Sequence, residues 1–184
     1  MCLLESKHDG PGRLTRIFFF PLRSPSLATI ATRHQPHTAL IADILTLPHP
    51  LRTFDFAISI AVIHHLSTPA RRVQAIESIL ATLKPPSPSP SPSPSPSSSG
   101  GKALLYVWAL EQESSRRGWS EGGEQDVMVP WVLKAKGREE RTFERYYHLY
   151  RRGELEGDVE AAGGRVVESG YEKDNWWAVC ERVN

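Results

Sequence analysis

Two long apolar stretches give the clearest pattern in the chain. Phe54–Ile63 is almost continuously apolar, and Gly101–Trp108 is a second stretch of the same kind. Between them, apolar side chains recur at helical spacing from Val73 to Leu83, after a helix start at Ser67-Thr68-Pro69. The order of strand, helix and strand predicts a βαβ unit in a sheet that helices cover on both faces.

Weaker patterns predict further elements on both sides of this unit. The predicted strand His37–Ala42 ends directly before Asp43. The other predicted elements are a short helix over Pro25–Arg33, a helix over Gly153–Ala162, and a closing hairpin formed by Arg165–Glu172 and Asn175–Arg182. An open sheet of this kind binds ligands at the carboxyl ends of its strands.

Three segments have less regular patterns. Arg16–Pro21 is expected to form a short strand closed by proline, and Val127–Leu133 is expected to form an ordered loop or edge piece because Pro130 interrupts it. Glu144–Arg151 alternates aromatic and polar side chains, which fits either a core strand or a surface that binds RNA phosphates and stacks a base. The tryptophans expected in the core are Trp108, Trp131, Trp176 and Trp177.

A Ser-Pro tract follows the predicted central helix. Residues 86–99 contain five Ser-Pro pairs and three further serines, so the tract has no side chains with which to build a packed element. It stands where a loop of about 2–6 residues is usual. We therefore expect a disordered insertion within one domain and not a boundary between two domains.

Length and composition limit the classes to which the protein can belong. Its 184 residues suffice for one domain, and a formal net charge of +1 gives no indication of a nucleic-acid partner. Cys2 and Cys180 form neither a Cys-x-x-Cys pair nor a metal-binding spacing, which fits a reducing compartment. No apolar run approaches the roughly 20 residues of a membrane span. We expect a cytoplasmic protein without a membrane partner, with the nucleus as a second compartment.

Several blocks of the chain resemble the eukaryotic methyltransferases of the tRNA wobble uridine, which convert the carboxylate of 5-carboxymethyluridine to its methyl ester. The most specific blocks are Ala103–Gln112, with its Tyr-Val-Trp-Ala core, and Gln125–Trp131. Further similarity lies in Ala42–Leu45, Phe54–Leu66, Arg145–His148, Gly153–Leu155 and Asp174–Trp176. The resemblance implies an α/β, Rossmann-like class I methyltransferase fold with a mixed sheet over residues 25–184.

The resemblance also implies S-adenosylmethionine as the cofactor and four residues that bind it. Asp43 would accept a hydrogen bond from the adenine amino group, and Ile44 would pack on the adenine face. Ala61 and Val62 would begin the floor between cofactor and substrate as the chain leaves the central strand.

Three candidate catalytic residues follow from the implied reaction. A carboxylate is already ionised at pH 7, so a strong base is unnecessary, whereas a cation would help to hold the anionic substrate. The candidates are His64, Arg145 and His148. The neighbouring pair His64-His65 is not expected to bind a metal, because adjacent strand residues point to opposite faces.

The first 24 residues depart from the family pattern. The family begins with a strand and a glycine-rich acidic turn that positions the methionine part of the cofactor, and a second acid binds the ribose. In residues 1–24, no buried strand is predicted before Asp9-Gly-Pro-Gly12, and the place of the ribose acid falls near Leu22. We therefore expect a divergent or truncated N-terminal segment, 1–24, and a fold that lacks the first strand and the glycine-rich loop.

Three functions are compatible with the sequence. The leading one is S-adenosylmethionine-dependent methyl-esterification of the tRNA anticodon loop. The small zinc-binding activator subunit used by fungal members of the family would dock on His37–Ala42. The second is a catalytically inactive fragment that keeps a protein or RNA interaction surface, and the missing glycine loop favours it. The third is a class I methyltransferase with another substrate.

Overall fold

The computed structural model describes residues 2–7, 14–19, 33, 38–40, 42–86, 100–112, 118–133 and 140–183, with the backbone alone for the first three strands. The predicted helix Pro25–Arg33, apart from Arg33, and residues 87–99 of the Ser-Pro tract lie outside the described residues.

The described residues form nine strands, two α-helices and a short 3₁₀ helix. The strands are β1 (Cys2–Lys7), β2 (Leu14–Phe19), β3 (Thr38–Leu40), β4 (Phe56–Ile60), β5 (Lys102–Trp108), β6 (Asp126–Leu133), β7 (Arg141–His148), β8 (Gly164–Glu172) and β9 (Asn175–Arg182). The helices are α1 (Pro69–Thr82) and α2 (Glu154–Ala161), and the 3₁₀ helix is Ile63–His65. Seven strands form one sheet in the order β3-β2-β1-β4-β5-β9-β8, and β6 and β7 form a separate two-stranded sheet.

The predicted βαβ unit is confirmed as β4, α1 and β5. The two strands pair in parallel, with Phe56 opposite Lys102 and Ile60 opposite Tyr106. Helix α1 begins at Pro69, and the Thr68 hydroxyl caps it by accepting a hydrogen bond from the Arg71 backbone N–H at 3.3 Å. The cap and the proline at the first helical position are the signals from which the helix start was predicted.

The prediction of a strand over Phe54–Ile63 was wrong at its carboxyl end. Strand β4 stops at Ile60, and Ala61 then adopts the left-handed backbone conformation with a φ of 57°. The following 3₁₀ helix contains His64 and His65, whose ring centroids lie 4.6 Å apart. The argument that these histidines occupy opposite faces of a strand was therefore wrong. The apolar run hid the break because Val62 and Ile63 are buried after the strand has ended.

Burial alternates along the central strands, so the prediction of a sheet buried on both faces was also wrong for the described strands. Ala57 and Ser59 of β4 are buried, whereas Phe56, Ile58 and Ile60 are only half-buried. Strands β5 and β9 alternate in the same way. The buried face packs on α1 and α2 in one core, with contributions from Ile76, Ile79, Leu155 and Val159.

Strand β1 lies beside β4 in the main sheet. The sequence patterns did not predict this strand. Strand β1 pairs with β4 from Cys2–Ser59 to Glu5–Phe56, and it runs antiparallel to β4. It also forms an antiparallel pair with β2, which overlaps the predicted short strand and runs parallel to β3. A strand is therefore present at this position, but its direction is opposite to that of β4.

The two ends of the Ser-Pro insertion lie side by side. The Gly101 backbone N–H donates to the Lys84 carbonyl at 2.8 Å, and the Lys84 N–H donates to the Phe54 carbonyl at 2.9 Å. A Cβ atom on Gly101 would lie 2.4 Å from the Phe54 carbonyl oxygen, so this close approach requires glycine. The described residues on the two sides of the tract therefore meet beside Phe54, and the disordered insertion itself stays a prediction.

The carboxyl-terminal predictions are largely confirmed. Strands β8 and β9 form the predicted hairpin, and Lys173 and Asp174 at its turn have φ angles of 48° and 63°, as a type I′ turn requires. Two of the four tryptophans predicted in the core lie outside it: Trp131 is on β6 with 39% of its surface exposed, and the half-buried Trp177 belongs to neither core cluster. None of the described helices is long and apolar enough to cross a membrane.

The conformation of Ala61 leads to a prediction about stability. A residue with a side chain loses about 1–2 kcal/mol in the left-handed region, whereas glycine does not. We expect Ala61→Gly to raise the free energy of unfolding by roughly 0.5–1 kcal/mol in chemical denaturation, after the larger unfolded-state entropy of glycine is subtracted. Ala57→Gly, in the buried interior of β4, is the matched control and should destabilise the fold. Equal losses in both variants would contradict the assigned backbone strain.

Candidate active site

The carboxyl ends of β3 and β4 lie at the same edge of the main sheet. Strand β3 is parallel to β2, and β1 is antiparallel to both β2 and β4, so β3 and β4 run in the same direction. Asp43 and Ala61 follow these two strands. The structure therefore brings two of the four predicted cofactor-binding positions to one edge, which is where open α/β sheets bind their ligands.

Asp43 and Ile44 have different environments within one turn. Asp43 is exposed, its Oδ1 accepts a hydrogen bond from the Leu45 N–H at 3.0 Å, and its carbonyl accepts one from the Thr46 N–H at 3.1 Å. Ile44 is only 4% exposed and belongs to the core. The turn thus fixes a carboxylate at the surface, and Ile44 anchors that turn in the fold. Their predicted contacts with adenine stay predictions.

Ala61 and Val62 also divide into an exposed and a buried residue. Ala61 is exposed, and its N–H donates to the Tyr106 carbonyl of β5 at 3.0 Å. Val62 is 3% exposed and packs in the core. A strained non-glycine residue persists only where the surrounding packing holds it, and such residues are typical of functional sites.

The direction of β1 determines where the residues after it begin. Because β1 is antiparallel to β4, its carboxyl end lies at the opposite edge of the sheet from Ala61. Asp9-Gly-Pro-Gly12 follows that end in sequence and lies outside the described residues. The described residues thus offer a carboxylate suited to adenine but no glycine-rich loop beside β4 for the methionine part of a cofactor.

His64 is fully buried and has a defined tautomer. Its Nδ1 accepts a hydrogen bond from the Trp108 N–H at 3.0 Å, so the ring proton is on Nε2. Burial, followed by the neighbouring His65, holds the pKa of His64 well below its usual value, so the ring is neutral. Nε2 has no hydrogen-bond partner among the described residues. His64 therefore offers a buried donor and no positive charge, and its catalytic role stays a prediction.

His148 is held by carboxylates at both ring nitrogens. Its Nδ1 donates to Asp126 Oδ1 at 2.8 Å, and its Nε2 donates to Glu154 Oε1 at 2.7 Å. The guanidinium of Arg72, which is 3% exposed, lies 3.4 Å from the same Glu154 oxygen and 3.6 Å from Asp158. These groups join β6, β7, α2 and α1 in one network. With both nitrogens engaged, His148 supplies a fixed charge rather than an open nitrogen.

The pKa values of this network follow from its hydrogen bonds. Burial alone would lower the pKa of His148, but the hydrogen bonds to Glu154 and Asp126 outweigh it and raise the pKa above its usual value. Hydrogen bonds from Tyr146 and His148 lower the pKa of Asp126. Burial would raise the pKa of Glu154, yet its bonds to His148 and the Arg151 N–H lower it. The arrangement therefore favours an imidazolium between two carboxylates.

Arg145, the third predicted catalytic residue, lies on β7 away from this network. Its guanidinium carbon lies 4.1 Å from the centroid of the Trp131 ring on β6. The structure does not bring Arg145 into contact with His64 or His148 through any described hydrogen bond or ion pair. Its predicted role in holding the substrate stays a prediction.

A pocket of about 780 Å³ opens at the carboxyl end of β5, and sequence reasoning missed it as a unit. Its walls include Trp119, Tyr171 and Trp176 together with Glu111 and Arg152. The size falls within the range of small-molecule sites, and aromatic walls with a few charges suit a nucleoside. The lining residues come from four separate segments of the chain, and only those in the Ala103–Gln112 and Asp174–Trp176 blocks gave a signal in the sequence.

The His148 network leads to a prediction about pH. Since the pKa of folded His148 is raised, its stabilising contribution is complete below the unfolded value near 6.5 and is lost as pH rises through the folded pKa. Asp126 and Glu154 have lowered pKa values, so their contributions are lost as the solution is acidified. We expect His148→Gln to cost about 3 kcal/mol near pH 6, with a smaller cost at pH 9, in denaturant unfolding.

His49→Gln is the control for this experiment, because burial lowers the pKa of His49 and its pH dependence has the opposite sign. A cost of His148→Gln that does not change between pH 6 and pH 9 would contradict an imidazolium in the folded protein.

Comparison with known proteins agrees with this architecture. The family described as "Methyltransferase domain" matches residues 22–86. A tRNA (carboxymethyluridine(34)-5-O)-methyltransferase of Schizosaccharomyces pombe is 46% identical over 87% of this chain and 70% of its own length. The enzyme of the same name from Saccharomyces cerevisiae is 38% identical over 87% of this chain and 74% of its own. The structure of the CcbJ methyltransferase from Streptomyces caelestis aligns with a TM-score of 0.64 at 10% identity, over 91% of this chain and 78% of that one. The chain has the class I methyltransferase fold and belongs to the tRNA (carboxymethyluridine(34)-5-O)-methyltransferase family.

Proposed function

We propose that this chain transfers a methyl group from S-adenosylmethionine to the carboxylate of 5-carboxymethyluridine at the wobble position of tRNA. The observation that carries the proposal is the sequence identity of 46% and 38% to two enzymes named for this reaction. The aligned regions cover most of this chain and most of each relative. The exposed Asp43 carboxylate and the strained Ala61, both at the ligand-binding edge, support it.

Of the residues present, Asp43 fits the adenine of the cofactor. Asp43 would hold the adenine amino group, and Ala61, at the end of β4, would line the floor below the reacting atoms. When bound, S-adenosylmethionine supplies a methyl group on a positively charged sulfur. The described residues contain no glycine-rich loop beside β4 for its methionine part.

The main contribution of the protein to this reaction is to position the cofactor and the target carboxylate. The bound cofactor would supply the methyl group, and a carboxylate oxygen of the target would be its acceptor. The target carboxylate is ionised at pH 7, so no residue has to remove a proton. The protein contributes by aligning the partners and excluding water. The pocket beyond β5, with Arg152 among its lining residues, would receive the target nucleoside.

A small zinc-binding activator subunit would dock along β3. Among the described strands, β3 is at the edge of the main sheet, and an edge strand can pair with another chain. We further propose a cytoplasmic location with a nuclear fraction, which microscopy of the tagged protein would test.

A methyl-transfer assay tests the proposed function. The purified chain, with and without the activator, would be incubated with S-adenosylmethionine and an anticodon stem-loop RNA that contains 5-carboxymethyluridine. We expect an alkali-labile methyl ester on that nucleoside, detected by mass spectrometry, and no product on the same RNA with unmodified uridine. Asp43→Asn should raise the KM for the cofactor about tenfold, because the lost charged hydrogen bond stabilises binding by about 1.5 kcal/mol or more.

Asp55→Asn is the matched control, since the Asp55 carboxylate pairs with Lys84 at 2.8 Å at the amino end of β4. No ester under either condition would favour the inactive fragment. Methylation of a different acceptor alone would favour the third function, an enzyme with another substrate.

A further inference from the structure

The β6–β7 hairpin has two chemically different faces. Cross-strand partners in an antiparallel pair share a face. One face carries the pairs Val127–Tyr147, Val129–Arg145, Trp131–Phe143 and Leu133–Arg141. We call its outer part, formed by Trp131, Leu133, Arg141, Phe143 and Arg145, the basic-aromatic face. None of the described residues on this face of the hairpin is acidic, because Asp126 and Glu144 lie on the other face.

The basic-aromatic face is open to solvent. Trp131 is 39% exposed, and Phe143 and Leu133 are each 41% exposed. Each arginine lies over a ring of the same face: Arg145 is 4.1 Å from the Trp131 centroid, and Arg141 is 5.4 Å from the Phe143 centroid. Large aromatic side chains rarely stay this exposed together unless they bind something.

The inner part of the same face is fixed in the domain. Val129 and Tyr147 are buried, and the Tyr147 ring stacks on Trp108 of β5 at 4.3 Å and 9°. The Tyr147 ring also lies 4.4 Å from the His65 ring, beyond the end of β4. The basic-aromatic face therefore continues into the edge of the sheet where Ala61 lies, so a ligand along it would lead toward the candidate active site.

We propose that the basic-aromatic face binds unpaired nucleotides of the RNA substrate. Aromatic rings can stack on any exposed base, and arginines on a face whose described residues include no acidic side chain attract phosphates. This charge complementarity, together with the continuity with the strand ends, favours RNA over a protein partner. The proposal deepens the proposed function and rests on the action on tRNA.

Binding of a fluorescein-labelled single-stranded RNA to the full chain, followed by anisotropy without cofactor, tests the proposal. We expect Trp131→Ala and Phe143→Ala each to weaken binding about 5-fold or more, since one stacked base is lost. Arg141→Ala should reduce the slope of log affinity against log salt by about 0.7, which corresponds to one phosphate contact. A duplex RNA of the same length should bind less tightly to the wild type, because its bases are already stacked.

Tryptophan fluorescence separates stacking from a loss of folding. A base on Trp131 should quench its emission, and Trp131→Phe should keep most of the affinity while losing that part of the quenching. Leu51→Ala and Arg71→Ala, which remove an exposed apolar and an exposed cationic side chain elsewhere, are the controls.

Unchanged RNA affinity in the Trp131 and Phe143 variants would overturn the proposal. So would variants that alter only self-association, because the face would then be a protein contact. Intact RNA binding without methyl transfer would contradict the proposed function and leave this proposal standing.

Discussion

The charged network around His148 holds the β6–β7 hairpin on the rest of the domain. A two-stranded hairpin is at best marginally stable alone, so it depends on what fixes its base. On one face, His148 bridges Asp126 of β6 and Glu154 of α2, and Arg72 of α1 reaches the same glutamate. On the other face, Tyr147 stacks on Trp108. A charged anchor and an apolar anchor thus orient the outer half of the hairpin, which remains exposed.

The hairpin connects the basic-aromatic face to the edge of the main sheet where Ala61 lies. The basic-aromatic face runs inward to Tyr147, whose ring contacts His65, and the chain between His65 and β4 contains the strained Ala61. RNA bound on the hairpin would therefore approach the strand ends at which the adenosine of the cofactor is expected. The pocket beyond β5 lies at the same edge, because Glu111 follows β5 and Asp174 precedes β9. Binding and chemistry would use adjacent parts of one edge of the sheet.

Sequence patterns predicted the elements whose ends are determined by neighbouring residues in the chain. The helix start at Thr68-Pro69, the glycine after α2 and the turn at Lys173-Asp174 carry their own signals, and all were found. Hydrophobicity alone could not separate β4 from the 3₁₀ helix, since Val62 and Ile63 continue the apolar run of the strand. The direction of β1 depends on pairing between distant segments, and nothing in its sequence encodes that direction. The environment of His148 was unpredictable for the same reason, because Arg72, Asp126 and Glu154 are brought together only by the fold.

The most direct test of the methyltransferase edge is hydrogen exchange of the chain with and without S-adenosylmethionine, read by mass spectrometry. We expect slower exchange in the backbone of Asp43–Thr46 and Ala61–Leu66 when the cofactor is added, because these turns would contact its adenosine. No change in either segment, or protection confined to the pocket beyond β5, would contradict the assignment of this edge as the cofactor site.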